Sequence, residues 1–214
     1  MFFLPSSILL FIGFLLLLPF LGLLMGLGIV GNAFAKLGIP WEWVIFILFL
    51  SLIGSVINLP IARRKISPSP EPYRWGFFFW GEEKQTICVN LGGAIIPTFV
   101  SLYLISKVPF IPTLACLLII AIIAKFLTRP VRGLGFVLPA FIPPILAAGL
   151  SMLLYRENPA PMAYISGAMG TLIGADLLNL NKLKRLGAQK VSIGGAGVFD
   201  GIYLTGIVAA FLSF

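Results

Sequence analysis

The sequence predicts an all-α fold: a polytopic integral membrane helix bundle with about seven transmembrane helices. Hydrophobic residues make up 59% of the chain and charged residues 10%, whereas a typical soluble domain has about 25% charged residues. The mean hydropathy is +1.07, and the charged residues lie in short clusters between long apolar runs. We therefore expect a multi-pass protein of the cell membrane that forms a single domain over residues 1–214.

Seven apolar runs are long enough to be membrane spans, because about 20 helical residues cross a hydrocarbon core of about 30 Å. No lysine or arginine precedes the first run, and it is longer than the apolar part of a signal peptide, so we interpret it as a helix. The predicted spans are residues 2–30, 43–61, 87–106, 108–127, 134–155, 162–180 or somewhat beyond, and 191–214.

The distribution of basic residues predicts the orientation of these spans. If the connecting loops alternate between two sides, twelve of the 15 lysine and arginine residues fall on one side. The other side receives Lys36, Lys107 and Arg156. Basic loops stay in the cytoplasm, so we expect a cytoplasmic N-terminus. The same asymmetry accounts for the net charge of +8, and we expect no nucleic-acid partner.

One predicted loop is long, and it lies on the cytoplasmic side at about residues 62–86. Alternating Ser and Pro at 67–70 favour an extended, polyproline-like conformation. An aromatic cluster follows, from Trp75 to Trp80. Because Trp side chains favour the headgroup layer, we interpret this cluster as an interfacial anchor. Alternatively, it is a docking surface for a membrane-borne partner or substrate.

The composition excludes several kinds of site. The chain has no histidine, which excludes His-based catalytic triads and His-ligated metals. Its two cysteines, Cys88 and Cys116, lie in separate apolar runs and form neither a metal-binding pair nor a disulfide framework. We therefore expect no metal and no cofactor.

The two aspartates are the candidate catalytic residues. Asp176 and Asp200 lie in consecutive predicted spans, whereas every glutamate lies in a loop or at a helix end. An ionised aspartate at the centre of a membrane helix costs about 2.5–3.5 kcal/mol, so this placement indicates a function. If the sixth helix ends near Leu186, both aspartates lie about 14–15 Å from one short cytoplasmic turn and can face each other. If it ends at Leu180, they are mismatched by about 9 Å.

Glycines surround both aspartates. Small residues let another backbone approach closely, and several glycines together weaken a helix. Unwound backbone at membrane depth persists only against protein or a water-filled cavity. We therefore expect these glycines to admit a substrate or a neighbouring helix to the aspartates. They are Gly174, Gly194, Gly195, Gly197 and Gly201.

Two weaker features accompany this pattern. Residues 91–94 (LGGA) resemble residues 193–196 (IGGA), which is consistent with an internal repeat that places Pro97 in the region equivalent to Asp200. Asn58, Asn90 and Asn179 lie in or near the spans, where we expect them to form interhelical hydrogen bonds.

The segments around the aspartates resemble two families. Residues 170–180 (GTLIGADLLNL) and 194–202 (GGAGVFDGI) resemble the paired signatures of an uncharacterised prokaryotic membrane family, domain of unknown function 1614. They are more loosely similar to the GxGD intramembrane aspartyl proteases, whose presenilin-like members carry one catalytic Asp on the sixth helix and one on the seventh. That resemblance implies catalytic roles for Asp176 and Asp200. In this chain two residues separate Gly197 from Asp200, whereas the protease family has none at that point.

The predicted function is an intramembrane aspartyl protease-like hydrolase. In a pair of carboxyl groups that share one proton, the ionised partner activates water and the protonated partner donates to the carbonyl oxygen. The expected partners are the lipid bilayer and a membrane-embedded peptide or protein substrate. Alternatively, the protein is a small transporter or channel in which the Asp pair binds a cation or relays protons. A third hypothesis is a scaffold whose Asp pair forms hydrogen bonds across the helices.

Overall fold

The computed structural model describes residues 18–19, 22, 36–66, 83–131, 135–185, 190–195 and 199–212. Within these ranges lie six α-helices of nine or more residues and five β-strands. The helices are α1 (Trp41–Gly54), α2 (Ile96–Leu104), α3 (Phe110–Leu127), α4 (Ile142–Leu154), α5 (Pro159–Thr171) and α6 (Phe199–Leu212). The strands are β1 (Asn58–Ile66), β2 (Glu83–Asn90), β3 (Arg129–Val131), β4 (Gly135–Val137) and β5 (Lys190–Ile193).

Several helices change their winding at an end. A π-helical turn, Leu91–Ile95, leads into α2, and a short 3₁₀ turn, Ile105–Lys107, follows it. α5 continues as a π-helical turn, Leu172–Asp176, and then as a 3₁₀ helix, Leu177–Arg185. Asp176 is therefore the last residue of a π-turn, a distortion that occurs frequently at functional sites.

The prediction of an all-α bundle with seven spans is wrong. In the described residues, four of the seven predicted spans contain strand residues, and α3 is the one helix there that is long and apolar enough to cross a membrane. α3 matches the predicted span at 108–127 closely. The predicted span at 2–30, and with it the expected cytoplasmic N-terminus, lies outside the described residues apart from positions 18, 19 and 22.

This difference has a physical cause. An apolar run of about 20 residues can form one helix, or a short buried strand followed by a shorter helix, and hydropathy does not distinguish the two. At 87–106 the β-branched residues Ile87 and Val89 favour a strand, and the following Gly92 and Gly93 weaken a helix. The run therefore divides into β2, a π-turn and α2.

The larger sheet has the strand order β1-β2-β5. β1 and β2 are antiparallel, and β2 and β5 are parallel with Val89 opposite Ile193. Parallel neighbours need a long crossover, which here contains α2 to α5. β1 and β2 include both ends of the expected loop at 62–86, whereas its aromatic cluster at 75–80 lies outside the described residues. β3 and β4 form a separate antiparallel pair after α3.

α5 is the central helix of the described structure. Nearly all of its residues are buried, and it contacts α2, α3, α4 and α6. Small residues allow these close contacts: Gly167 lies against Thr205 of α6, and Gly170 lies against Ile120 of α3. The segment that carries Asp176 is therefore an extension of the most enclosed element.

Candidate functional site

The two carboxylate oxygens of Asp176 have different surroundings. The residue is 1% exposed. Its Oδ2 accepts a hydrogen bond of 2.5 Å from the backbone N–H of Gly194, whereas its buried Oδ1 has no hydrogen-bond partner among the described residues. Because buried polar atoms are almost always paired, an unpaired carboxylate oxygen indicates a place for a proton, a water molecule or a ligand.

Gly194 is the residue that holds Asp176, and its position requires glycine. Its φ is +70°, and a Cβ atom there would lie 2.7 Å from the carbonyl carbon of Gly93 and 2.8 Å from the Cβ of Ala94. The parallel pairing of β2 and β5 brings these turns together. Gly194 in one of the two similar segments thus lies against Gly93 and Ala94 in the other, and it supplies the donor to Asp176.

A polar cluster fixes the strand ends beside this turn. Asn90 Nδ2 donates to Ser55 O at 2.6 Å and to Asn58 Oδ1 at 3.1 Å, and Asn90 Oδ1 accepts from the Gly93 N–H at 2.7 Å. Ser192 Oγ also donates to Asn58 Oδ1. Asn58 and Asn90 therefore link strands and turns, whereas the sequence predicted that they would form hydrogen bonds between helices.

The packing of α5 against α6 gives the level of Asp200. Gly167 lies against Thr205, and Tyr164 lies against Gly206, so the two helices are antiparallel. Two residues at the same height along the helix axes therefore have numbers whose sum is 370–372. The Asp200 backbone is therefore level with Thr171. The five residues from this level to Asp176 form the π-turn, which rises less per residue than an α-helix, so the offset along the axis is at most about 7.5 Å. The sequence predicted either equal depth or a mismatch of about 9 Å, and the observed offset is nearer to the second.

The packing of α5 against α3 gives the depth of the site. A Cβ atom at Gly174 would clash with the carbonyl oxygen of Ala121, and Asn179 Nδ2 donates to Lys125 O at 3.3 Å. Both contacts join residues 53 or 54 positions apart, so α3 and the extension of α5 run parallel. Asp176 is therefore at the height of position 123 on α3. This position is four residues, or about 6 Å, from the end of α3. The site therefore lies close to the end of α3 that carries Lys125.

Three buried side-chain oxygens at and near Asp176 have no hydrogen-bond partner among the described residues. They are Thr171 Oγ1, Asp176 Oδ1 and Asn179 Oδ1, and no described residue bonds them. Thr171 is the last residue of α5, Asp176 ends the π-turn, and Asn179 lies in the 3₁₀ helix that follows. The sequence did not indicate Thr171, because threonine is common in buried membrane helices.

The other predicted glycines have mixed positions. Gly174 admits the backbone of α3, and a Cβ atom at Gly195 would lie 2.6 Å from the Cβ of Ser192. Gly201 lies in the first turn of α6, and Gly197 lies outside the described residues. The described residues contain no group of three or more His, Cys, Asp and Glu side chains placed to hold a metal ion.

Comparison with known proteins gives one match. A family model described as "Protein of unknown function (DUF1614)" matches residues 52–212, which include both aspartates. No curated protein and no solved structure matches the chain. The resemblance to the GxGD proteases gains no support here, whereas the resemblance to the family of unknown function is confirmed. The chain belongs to the DUF1614 family.

Proposed function

We propose that the protein is a multi-pass protein of the cell membrane. α3 has a mean hydropathy of 2.5 over 18 residues, and only 28% of it is buried. Its outward side chains are large and apolar, as at Ile111 (79% exposed) and Phe126 (78% exposed). The shorter apolar helices also carry outward side chains, such as Phe99 and Leu153. Apolar surface of this extent is stable against lipid and not against water.

We propose that within the membrane the protein is an aspartyl hydrolase that cleaves a membrane-embedded peptide or protein. The observation that carries this proposal is the carboxylate of Asp176, which is buried, held through one oxygen by Gly194 and without a partner among the described residues at the other oxygen. The antiparallel register supports it, because the backbone of Asp200 lies at most about 7.5 Å away along the axis. Two aspartate side chains and one shared water molecule can bridge an offset of this size.

The proposed chemistry needs only these two side chains and water. The Gly194 N–H holds the Asp176 carboxylate in one orientation, so its free Oδ1 faces the reacting groups. The ionised aspartate removes a proton from water as the water attacks the peptide carbonyl. The protonated aspartate donates its proton to the carbonyl oxygen. Thr171, level with Asp200, offers a further hydroxyl group to the same water.

The experiment that tests this proposal compares Asp176→Asn and Asp200→Asn with the unchanged protein in lipid vesicles. The probe is a mixture of single-span apolar peptides, and cleavage is measured by mass spectrometry. Both variants should lose at least about 100-fold in rate, since general acid–base groups contribute that much. Glu157→Gln, at an exposed position between α4 and α5, is the matched control and should cleave normally. Full cleavage by either Asp variant contradicts the proposal.

A second candidate function is proton or cation transport. The buried oxygens of Thr171, Asp176 and Asn179 favour it, since they have no partner among the described residues and irregular helices that carry polar groups line ion pathways in membrane proteins. In vesicles with a pH-sensitive dye inside, this function predicts a proton flux that Asp176→Asn abolishes. Flux without any peptide cleavage supports transport, and cleavage without flux supports the hydrolase.

A further inference from the structure

A cavity lies where α3 meets the β3–β4 pair. It has a volume of about 470 Å³ and is mainly apolar, within the range of about 300–1,000 Å³ typical of ligand sites. Its lining residues are Phe126, Leu127, Arg129, Val131, Val137, Leu138 and Pro139. None of these residues belongs to the Asp176 site.

The charge and position of the cavity indicate its ligand. Among the described residues that line the cavity, Arg129 alone is charged; it is exposed, and its side chain has no ion pair or hydrogen bond with another described residue. It lies two residues after the end of α3, which is the level of the lipid headgroups if α3 spans the membrane. An arginine side chain at this level can form charged hydrogen bonds with the phosphate of an anionic lipid headgroup.

Two exposed apolar side chains lie beside Arg129: Phe126 in the last turn of α3 and Val137, its partner in the β3–β4 pair. Phe126 is 78% exposed on α3, and Val137 is 39% exposed on β4. An acyl chain can lie along these two side chains while a phosphate contacts Arg129. A free phosphate ion would use only the arginine and would leave the apolar lining uncovered.

We propose that this cavity binds one anionic phospholipid, with its phosphate on Arg129 and an acyl chain along Phe126 and Val137. This inference rests on the proposed membrane location and is independent of the proposed hydrolysis. The bound lipid would hold the β3–β4 pair against the end of α3.

The test measures the lipid that stays bound after detergent extraction from vesicles of equal phosphatidylglycerol and phosphatidylcholine content. The unchanged protein should retain about one phosphatidylglycerol per chain by native mass spectrometry. Arg129→Gln should lower this retention about tenfold, the effect of one charged hydrogen bond. Val137→Trp, whose larger side chain should fill the cavity, should lower the retention of both lipids. Arg156→Gln, exposed between α4 and α5, is the control and should change nothing.

Two results overturn the proposal: retention by Arg129→Gln equal to that of the unchanged protein, or equal retention of the two lipids by the unchanged protein. Vesicle flotation of every variant separates these results from a failure of the membrane proposal. If the protein does not float with the vesicles, the membrane location itself is wrong.

Discussion

At the scale of single residues, the two carboxylate oxygens of Asp176 have different hydrogen-bonding environments. Oδ2 accepts a hydrogen bond from the Gly194 N–H in the turn after β5, and Oδ1, which has no partner among the described residues, is the oxygen that we propose takes part in catalysis. A variant that keeps the acceptor but removes the acid should therefore fold normally and lose function.

Asp176→Asn and Asp176→Leu separate these roles. Asparagine still offers an oxygen to the Gly194 N–H, so we expect a change in unfolding free energy below about 1 kcal/mol. Leucine leaves that buried N–H unpaired, and we expect a loss of about 1–3 kcal/mol. Denaturant unfolding in detergent measures both, and equal stability of the two variants would show that the Gly194 bond is unimportant.

Gly194→Ala should be strongly destabilising, for a related reason. A non-glycine residue in the left-handed region costs about 1–3 kcal/mol, and the added Cβ would also contact Gly93. Gly149→Ala on α4 is the control, because nothing lies within 4 Å of a Cβ atom there. We expect Gly149→Ala to be neutral or slightly stabilising in the same unfolding assay. A similar loss in both variants would argue against the turn geometry.

At the scale of elements, the parallel pairing of β2 and β5 creates the site. Cys88 and Ser192 are partners in this register, and the side chains of Ser192 and Asn90 both bond Asn58. Residues two apart on a strand share a face, so Cys88 and Ser192 lie on one face as well. The register therefore predicts that a cysteine introduced at position 192 can form a disulfide bond with Cys88.

Ser192→Cys should form a disulfide with Cys88 under mild oxidation, because neighbouring strands bring paired Cα atoms within disulfide range. The linked peptides are identified by mass spectrometry. Val191→Cys, whose side chain lies on the opposite face of β5, is the control and should not link to Cys88. Linkage of Val191→Cys in preference to Ser192→Cys would contradict the register.

How much of the fold and of the candidate site could be predicted depends on how far apart in the sequence the interacting residues lie. α3 was predictable because its 18 residues are mostly apolar and include no glycine. Asp176 was identifiable as a rare acid in an apolar run. The pairing of β2 with β5 was not, because its partners, such as Thr86 and Lys190, are about a hundred positions apart. The Gly194 donor was not predictable either, because this pairing positions it. Local propensity carries no information about such pairs.

At the scale of the whole molecule, lipid should surround α3. Leu118 lies near the middle of α3 and is 50% exposed. In a bilayer a lysine there should cost about 3 kcal/mol, whereas on a water-exposed surface it should change little. We expect Leu118→Lys to reduce membrane insertion, measured by carbonate extraction, and Val56→Lys, in an exposed turn, to insert normally. Normal insertion of both would place α3 outside the membrane.

The central claim is that Asp176 and Asp200 act together on one water molecule. The most direct measurement is the separation of their carboxylate groups in an experimental structure of the full chain in lipid. We expect the two groups to contact each other or one shared water molecule, with Gly194 still bonded to Asp176. Carboxylates separated by packed side chains, with no water between them, would contradict the account.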